Sequence, residues 1–308
     1  MPDLIINVTP GVGKTHSAME EVGSLASKKR VLFTTQTGKN IEELGQLAQR
    51  LCPGIEIRII RGRSGGTPEN IKPGKQHPDD ANCYNYDEVE KAAGQGFSPG
   101  LVVCSTCSHD DLCPYKVQFK KMPKKGLIIA AHESASTLPV KPDVWVIDES
   151  CVKAFLKSKS LSPDAFTNIK CRLPNDSASV LEQFQDTAEK ALREIRNYSD
   201  RSVARLYATQ PAAEWQGKPT LWDEAGVKEI KKKLSRDLGI FEQFEGESMP
   251  KYHRRLYHEE QINFYALKWL RIALGEERGV TYIQIKKDRN KPITYVLFYS
   301  TVPKYATG

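Results

Sequence analysis

The first sixty residues alternate apolar runs with segments that carry apolar side chains at helical spacing. Short apolar or β-branched runs predict strands, and the periodic segments between them predict helices. In chain order the predicted elements are Leu4–Val8, His16–Lys28, Arg30–Thr35, Ile41–Leu51 and Ile55–Ile60. This β-α-β-α-β alternation is typical of a parallel sheet that is covered by helices.

The periodicity ends at Arg61 and the next strand signal comes only at Gly126. From residue 61 to about residue 100, Gly, Pro, Asn and Asp dominate, so we expect no regular structure there. A loop of this length is unusual in a compact domain unless something ties it down. The apolar runs Gly126–Ala131 and Val144–Asp148 then predict two further buried strands of the same parallel sheet.

The second half of the chain predicts mainly helices. Ser179–Tyr198 and Glu260–Leu274 carry apolar residues at helical spacing, and strand-like runs follow at Thr281–Lys286 and Ile293–Tyr299. We therefore predict an α/β fold in three parts. They are a parallel-sheet domain (1–60 and 126–151, with 279–308), a cysteine-rich insertion (61–125) and a mostly helical insertion (152–278).

Composition narrows the class of protein. A chain of 308 residues can bury one large core or two modest ones, and its net charge of +7 favours a polyanionic partner. No apolar run reaches membrane-spanning length, and the first ten residues lack the features of a signal peptide, so we expect no membrane partner. Seven cysteines, an odd number, fit reduced thiols or metal ligands better than a disulfide scaffold, which predicts a cytoplasmic protein.

Residues 8–15 (VTPGVGKT) join a predicted strand to a predicted helix, which is the context of a phosphate-binding loop. Glycines let backbone N–H groups turn towards a phosphate, and the helix N-terminus adds positive potential. Lys14 would contact the β- and γ-phosphates of ATP and Thr15 would bind Mg²⁺, although Val8 stands where the usual pattern has its first glycine. The predicted nucleotide-binding residues are Pro10, Gly11, Val12, Gly13, Lys14, Thr15 and His16.

The strand predicted at Val144–Asp148 ends in an acidic pair, Asp148 and Glu149. Alone this is a weak signal, because acids often follow strands as helix caps. Together with the upstream phosphate loop it predicts a site in which Asp148 binds the same Mg²⁺ as Thr15. Glu149 would then orient and deprotonate the attacking water. With Lys14, this acidic pair makes up the predicted catalytic residues.

Four cysteines, Cys83, Cys104, Cys107 and Cys113, lie between these two motifs. A CxxC step lets two thiolates bind one metal centre, and a third cysteine a few residues on can join them. A [4Fe–4S] cluster, a tetrahedral zinc ion and free thiols are all open. The single CxxC step and the proline after the last cysteine favour the cluster. The other cysteines, Cys52, Cys151 and Cys171, are interpreted as buried or incidental thiols.

The order of these motifs resembles the N-terminal motor half of the XPD/DinG-type iron–sulfur helicases of superfamily 2. The resemblance covers residues 4–151 and rests on the phosphate loop, the C-x₂-C-x₅-C-P step, the strand before His132 and the sequence VIDES. It implies a RecA-like P-loop ATPase domain that a [4Fe–4S] cluster domain interrupts, followed by a helical arch. The family typically has DEAH where this chain has DESC. The sequence at 298–303 is similar to a degenerate form of the motif that closes the first motor domain.

The resemblance also implies contacts with single-stranded DNA at Thr35, Gln36 and His132. Each has a plain structural alternative: a polar turn capped by Asn40, or a strand-end histidine bonded to backbone. The run after Cys113 carries five lysines, no acid and two interleaved rings, which suits nucleic acid, although a solvated lysine face is the usual explanation. From this run we assign DNA contacts to Tyr115, Lys116, Lys120 and Lys121. A second basic-aromatic stretch, residues 251–258, is interpreted as a solvated helix.

Two other classes of function stay open. One is a zinc-stabilised nucleic-acid-binding module with a degenerate P-loop, and the other is a P-loop switch or kinase that acts on a small molecule. The sequence shows no second RecA-like domain. The helicase resemblance therefore implies that the other half of the ATP cleft belongs to another part of the polypeptide or to a partner. We expect a monomer that acts on single-stranded or forked DNA.

Overall fold

Strands and helices alternate in the first half of the chain, as the apolar pattern predicts. The computed structural model describes residues 13–36, 38–65, 82–110, 113–120, 122–148, 157–179, 205–207, 228–286 and 294–301, with five further positions between 181 and 190. The strand predicted at residues 4–8 lies outside them. Up to residue 148 the elements are α1 (Lys14–Ala26), β1 (Arg30–Thr35), α2 (Gly38–Leu51), β2 (Ile57–Ile59), α3 (Tyr86–Gly94), α4 (Pro99–Val102), α5 (Pro114–Val117), β3 (Gly126–Ala131) and β4 (Val144–Ile147).

The four strands β1–β4 form a parallel sheet in the order β2-β3-β1-β4. The two central strands read as continuous apolar runs because helices and loops cover both of their faces. On one face α1 and α2 pack around Phe33, Leu127 and Ile129. On the other face Phe119 and further partly buried side chains pack against Leu32, Ile128 and neighbouring residues. The fold is therefore α/β, as predicted.

The second half of the chain contains more strand than its sequence suggests. Its elements are β5 (Lys157–Leu161), α6 (Thr167–Arg172), β6 (Arg205–Tyr207), α7 (Lys228–Asp237), α8 (Met249–Arg254), a π-helical turn (Arg255–Glu259), α9 (Phe264–Leu274), β7 (Val280–Lys286) and β8 (Thr294–Thr301). The strands form an antiparallel sheet in the order β5-β8-β7-β6. Helix α9 begins at Asn263, whose side chain accepts a hydrogen bond from the Ala266 N–H, and seven of its eleven residues are buried.

The chain divides into two units, Met1–Asp87 with Cys107–Phe155, and Glu88–Thr106 with Leu156–Gly308. Residues 279–308 were predicted to complete the parallel sheet, but their described strands β7 and β8 belong to the antiparallel sheet of the second unit. The short connection at 287–293 explains this pairing, because joining parallel strands takes a dozen or more residues.

The cysteine-rich stretch is not one insertion in the structure. Residues 88–106 belong to the second unit, whereas the flanking parts of 61–125 belong to the first. Helix α3 lies where we expected no regular structure, and its Val89 and Ala92 are buried at helical spacing. Among the described helices, none combines the length and the apolar character that crossing a bilayer requires.

Candidate functional site

The carboxyl ends of β1, β3 and β4 bring three segments that are distant in sequence to one edge of the parallel sheet. The strand register pairs Thr34 of β1 with Ala130 on one side and with Ile147 on the other. The residues that follow these strands, among them Gln36, His132 and Asp148, therefore share this edge. Ligands of open α/β sheets bind beyond the carboxyl ends of the strands, so this edge is the candidate site.

Thr15 and Asp148 are in direct contact at this edge. The hydroxyl of Thr15 lies 3.2 Å and 3.4 Å from the two carboxylate oxygens of Asp148, although 133 positions separate the residues in the chain. The Asp148 N–H donates to the Thr34 carbonyl at 2.9 Å, which fixes the backbone at the end of β4. A hydroxyl and a carboxylate side by side are ligands that Mg²⁺ prefers.

Helix α1 begins directly after a glycine in a left-handed conformation. Gly13 has φ 78° and ψ 21°, a left-handed conformation that glycine adopts at little cost. The first turn of α1 carries no acidic side chain, so none of its own residues neutralises the positive potential of the helix N-terminus. Lys14 and His16 are exposed beside it, and the predicted residues Pro10, Gly11, Val12 and Glu149 lie outside the described residues.

The hydroxyls of β1 are engaged inside the protein. Thr34 Oγ1 accepts a hydrogen bond from the indole N–H of Trp145 at 3.0 Å. Thr35 is fully buried, and its Oγ1 accepts from the Asn40 side chain at 3.4 Å. This geometry matches the capped polar turn rather than the predicted DNA contact of Thr35. Gln36 is the exposed side chain after β1, whereas His132 after β3 is buried.

A network of polar contacts attaches α5 to the end of β2. The backbone N–H of Arg61 donates to the Gln118 side-chain oxygen, and the Gln118 side-chain nitrogen donates to the Arg61 carbonyl, both at 2.9 Å. The Arg61 guanidinium also forms two hydrogen bonds with Glu42, at 2.7 Å and 2.8 Å. Paired donors of this kind fix orientation as well as distance. Helix α5 therefore has a defined position beside the sheet.

The two rings of the predicted nucleic-acid run are used in packing. The Arg63 guanidinium lies 4.1 Å from the centre of the Tyr115 ring, and Tyr115 packs edge-on against Phe119 at 5.3 Å. Phe119 in turn packs against the buried side chains of the sheet. Among the predicted lysines, Lys116 pairs with Asp110, Lys120 is exposed and Lys121 lies outside the described residues.

The predicted cysteine ligands fall on both sides of the unit boundary. Cys83, Cys107 and Cys113 belong to the first unit, and Cys104 to the second. The Asn85 amide donates to the Cys107 sulfur at 3.3 Å, and none of the six described cysteines forms a disulfide bond. Within the described ranges, no group of three or more His, Cys, Asp or Glu side chains is placed to hold a metal ion. The metal centre predicted for these four cysteines therefore stays a prediction.

The remaining cysteines differ from one another in burial. Cys52 is buried where α2 ends, and its thiol contacts the Met19 carbonyl at 3.4 Å. Burial raises the pKa of the Cys52 thiol, which makes it less reactive. Cys171 is exposed, and Cys151 lies outside the described part of the chain.

The interpretation of residues 251–258 as a solvated helix was wrong. His253 is buried against the rings of Phe97, at 6.0 Å, and Phe264, at 5.1 Å, and this burial lowers its pKa. Arg255 is also buried, and its guanidinium donates to Glu247 at 3.1 Å. That hydrogen bond lowers the pKa of the Glu247 carboxyl. Aromatic packing and a paired charge let this basic stretch lie inside the unit.

No protein-family model matches the chain, and a search of curated proteins gives no match. The class of protein is therefore inferred from the residues themselves. Fold and site together define an α/β protein whose parallel sheet places Thr15, at the start of a helix, against Asp148, at the end of a strand.

Proposed function

We propose that this protein is a P-loop nucleotide hydrolase of the RecA-like type and serves as the motor domain of an ATP-dependent DNA helicase or translocase. The observation that carries the proposal is the contact between Thr15 and Asp148. These are the two side chains that the sequence assigns to one Mg²⁺. Their separation in the chain makes an accidental match of two short motifs a poor explanation.

Each residue has a separate task in the proposed reaction. Lys14 and the backbone N–H groups of the loop bind the β- and γ-phosphates. Mg²⁺, when bound by Thr15 and Asp148, neutralises negative charge on the phosphate oxygens. Glu149 follows Asp148 directly and accepts a proton from the attacking water. The water oxygen bonds to the γ-phosphorus while the bond to the β–γ bridging oxygen breaks, which releases ADP and phosphate.

The DNA part of the proposal rests on charge and on position. The chain carries a net charge of +7, and its residues 113–132 contain five lysines and no acid. Gln36 is exposed at the same edge of the sheet as Asp148, where an amide can contact phosphate oxygens. Lys120 is exposed beyond α5. These side chains suit binding that depends on the phosphate backbone and not on base sequence.

The sharpest test compares two aspartates that flank the same strand. Asp148 follows β4 and contacts Thr15, whereas Asp143 precedes β4 and accepts a hydrogen bond from the Arg30 N–H at 2.8 Å. We expect Asp148→Asn to abolish Mg²⁺-dependent ATP binding in titration calorimetry and Asp143→Asn to preserve it. Equal Mg²⁺-dependent affinity in wild type and Asp148→Asn overturns the proposal.

A second pair of variants separates binding from hydrolysis. Glu149→Gln removes the proton acceptor and keeps the size of the side chain, so phosphate release should fall roughly 10²- to 10⁴-fold. ATP affinity should stay within about twofold of wild type, because Glu149 acts in the transition state. Lys14→Ala should lower both quantities. Hydrolysis that neither variant changes would assign the activity to a contaminant or to another site.

A further inference from the structure

Tyr84 is more exposed than any other aromatic residue in the described part of the first unit. Its relative exposure is 55%, compared with 42% for Trp145. Its ring lies 4.8 Å from that of His109, which is also exposed, with 48° between the two planes. An exposed pair of rings is unusual, because aromatic side chains usually pack against other side chains.

Hydrogen bonds hold the segment on both sides of Tyr84. Asn82 is fully buried, and its carbonyl accepts a hydrogen bond from the Tyr115 N–H at 3.1 Å. On the other side, the side-chain amide of Asn85 donates a hydrogen bond to the Cys107 sulfur. Tyr84 therefore stands on an anchored segment with its ring in solvent. A ligand that contacts this ring need not first order the chain around it.

The acid beside the ring pair is neutralised by an ion pair. Lys116 pairs with Asp110, the residue after His109, and so offsets the acid beside the imidazole. The hydrogen bond from Tyr115 to Asn82 places the start of α5 next to the same segment. Lys120, exposed beyond α5, supplies positive charge for phosphates. Positive charge for phosphates and an exposed ring for a base are the two features that single-stranded nucleic-acid sites combine.

We propose that Tyr84 and His109 form the stacking platform on which this protein binds an unpaired base of single-stranded DNA. The inference rests on the DNA part of the proposed function. It replaces Tyr115 and Phe119, the rings that the sequence suggested, because both are used in packing. Stacking needs only the face of a base, so the platform accepts every base and suits binding without sequence preference.

The test measures fluorescence anisotropy with two labelled strands of roughly 12 nucleotides, an oligothymidylate and a matched strand with abasic sites. Tyr84→Ala should weaken oligothymidylate binding about 5- to 150-fold, the range for one lost stacking contact. It should leave abasic-strand binding unchanged. Tyr84→Phe keeps the ring and should bind as wild type does. His109→Ala should weaken oligothymidylate binding selectively, though less than Tyr84→Ala.

Lys120→Ala is the matched control for charge. It should weaken binding to both strands alike and lower the slope of log affinity against log salt. If wild type and Tyr84→Ala bind oligothymidylate with equal affinity, the stacking platform is refuted while the proposed function stands. An equal loss on both strands also refutes it. If wild type binds neither strand, the DNA part of the proposed function fails together with the platform. Tyr84 is exposed, so its variants should melt at the wild-type temperature.

Discussion

The carboxyl edge of the parallel sheet and the cysteine-rich stretch differ in how sequence distance relates to contact in the structure. Thr15 and Asp148 lie 133 positions apart and meet side chain to side chain. The four central cysteines lie within one short stretch, and the described residues form no metal-binding group. Hydrogen-bonded strands place their carboxyl ends together whether or not a ligand is present. Metal ligands, in contrast, are often brought together only by the metal, because binding and folding are coupled.

The largest expected difference between the carboxyl edge and the cysteine-rich stretch is the effect of removing bound metal. We propose that Cys83, Cys104, Cys107 and Cys113 bind a [4Fe–4S] cluster, in which case anaerobically purified protein is brown and contains iron and sulfide. A bound metal centre stabilises the folded state, because metal binding and folding are coupled. Removing the metal should therefore lower the melting temperature and speed hydrogen exchange in residues 82–110.

The control for this experiment is Cys171→Ser, because Cys171 is an exposed thiol outside the stretch. It should leave colour and metal content unchanged, whereas Cys113→Ser should reduce both. Colourless protein with stoichiometric zinc selects the zinc-stabilised module instead. Protein without any metal, with the same melting temperature after chelation, would show that the cysteines are free thiols.

The next largest effect tests whether the sheet by itself positions the site. Phe33 is buried in the central strand β1, against α1 and α2. Phe33→Ala should lower the free energy of unfolding by about 3–5 kcal/mol, measured by urea denaturation, because it opens a cavity in the core. Leu25→Ala, at a partly exposed position of α1, should cost much less. Equal costs would contradict the role given to the central strand.

A substitution at Gly126, where β3 begins, should cause a smaller loss of stability than Phe33→Ala. The Gly126 φ of 136° is unfavourable for other residues, and an added Cβ would lie 2.5 Å from the Glu56 carbonyl oxygen. Gly126→Ala should therefore destabilise the protein by about 1–3 kcal/mol. Gly38→Ala is the matched control, since nothing lies within 4 Å of the added atom at the start of α2. It should be neutral or slightly stabilising, and the same loss in both variants would rule out a local clash.

The same contrast explains how much of the fold the sequence could predict. Strands β1 and β3 were predicted correctly because central parallel strands are continuous apolar runs. Strand β5, with the sequence KSKSL, has one apolar residue and gave no strand signal. The partners of β7 and β8 were missed because an apolar run shows that a strand exists but not which strand it pairs with.

The candidate site follows the same logic. The contact between Thr15 and Asp148 was predictable, because motif order and sheet topology together require it. The exposure of Tyr84 and the packing of Tyr115 against Arg63 were not, since each depends on which side chains from elsewhere in the chain lie over the ring. Ring identity and charge pattern alone favoured Tyr115 and Phe119, whereas the packing of these rings leads us to propose Tyr84 and His109 for stacking.

The smallest predicted effect concerns pH and a histidine that belongs to the second unit. His253 is buried among aromatic rings, and burial lowers its pKa, so the folded state favours the neutral imidazole. In the unfolded chain the same group titrates near its ordinary value of about 6.5. The unfolded state therefore binds more protons just below that pH, and the stability contribution, fully present above it, is lost as pH falls.

Urea denaturation across roughly pH 5 to 8 measures this contribution. His253→Phe keeps an aromatic ring in the buried position without a titrating group, so its stability should fall less steeply with decreasing pH than that of wild type. His258→Gln, at an exposed position of the neighbouring π-helical turn, should keep the wild-type slope. A slope in His253→Phe as steep as that of wild type would assign the pH dependence to another group. The Mg²⁺-dependent ATP affinity that we propose for the carboxyl edge should be the same in both variants, because neither histidine belongs to the unit that contains this edge.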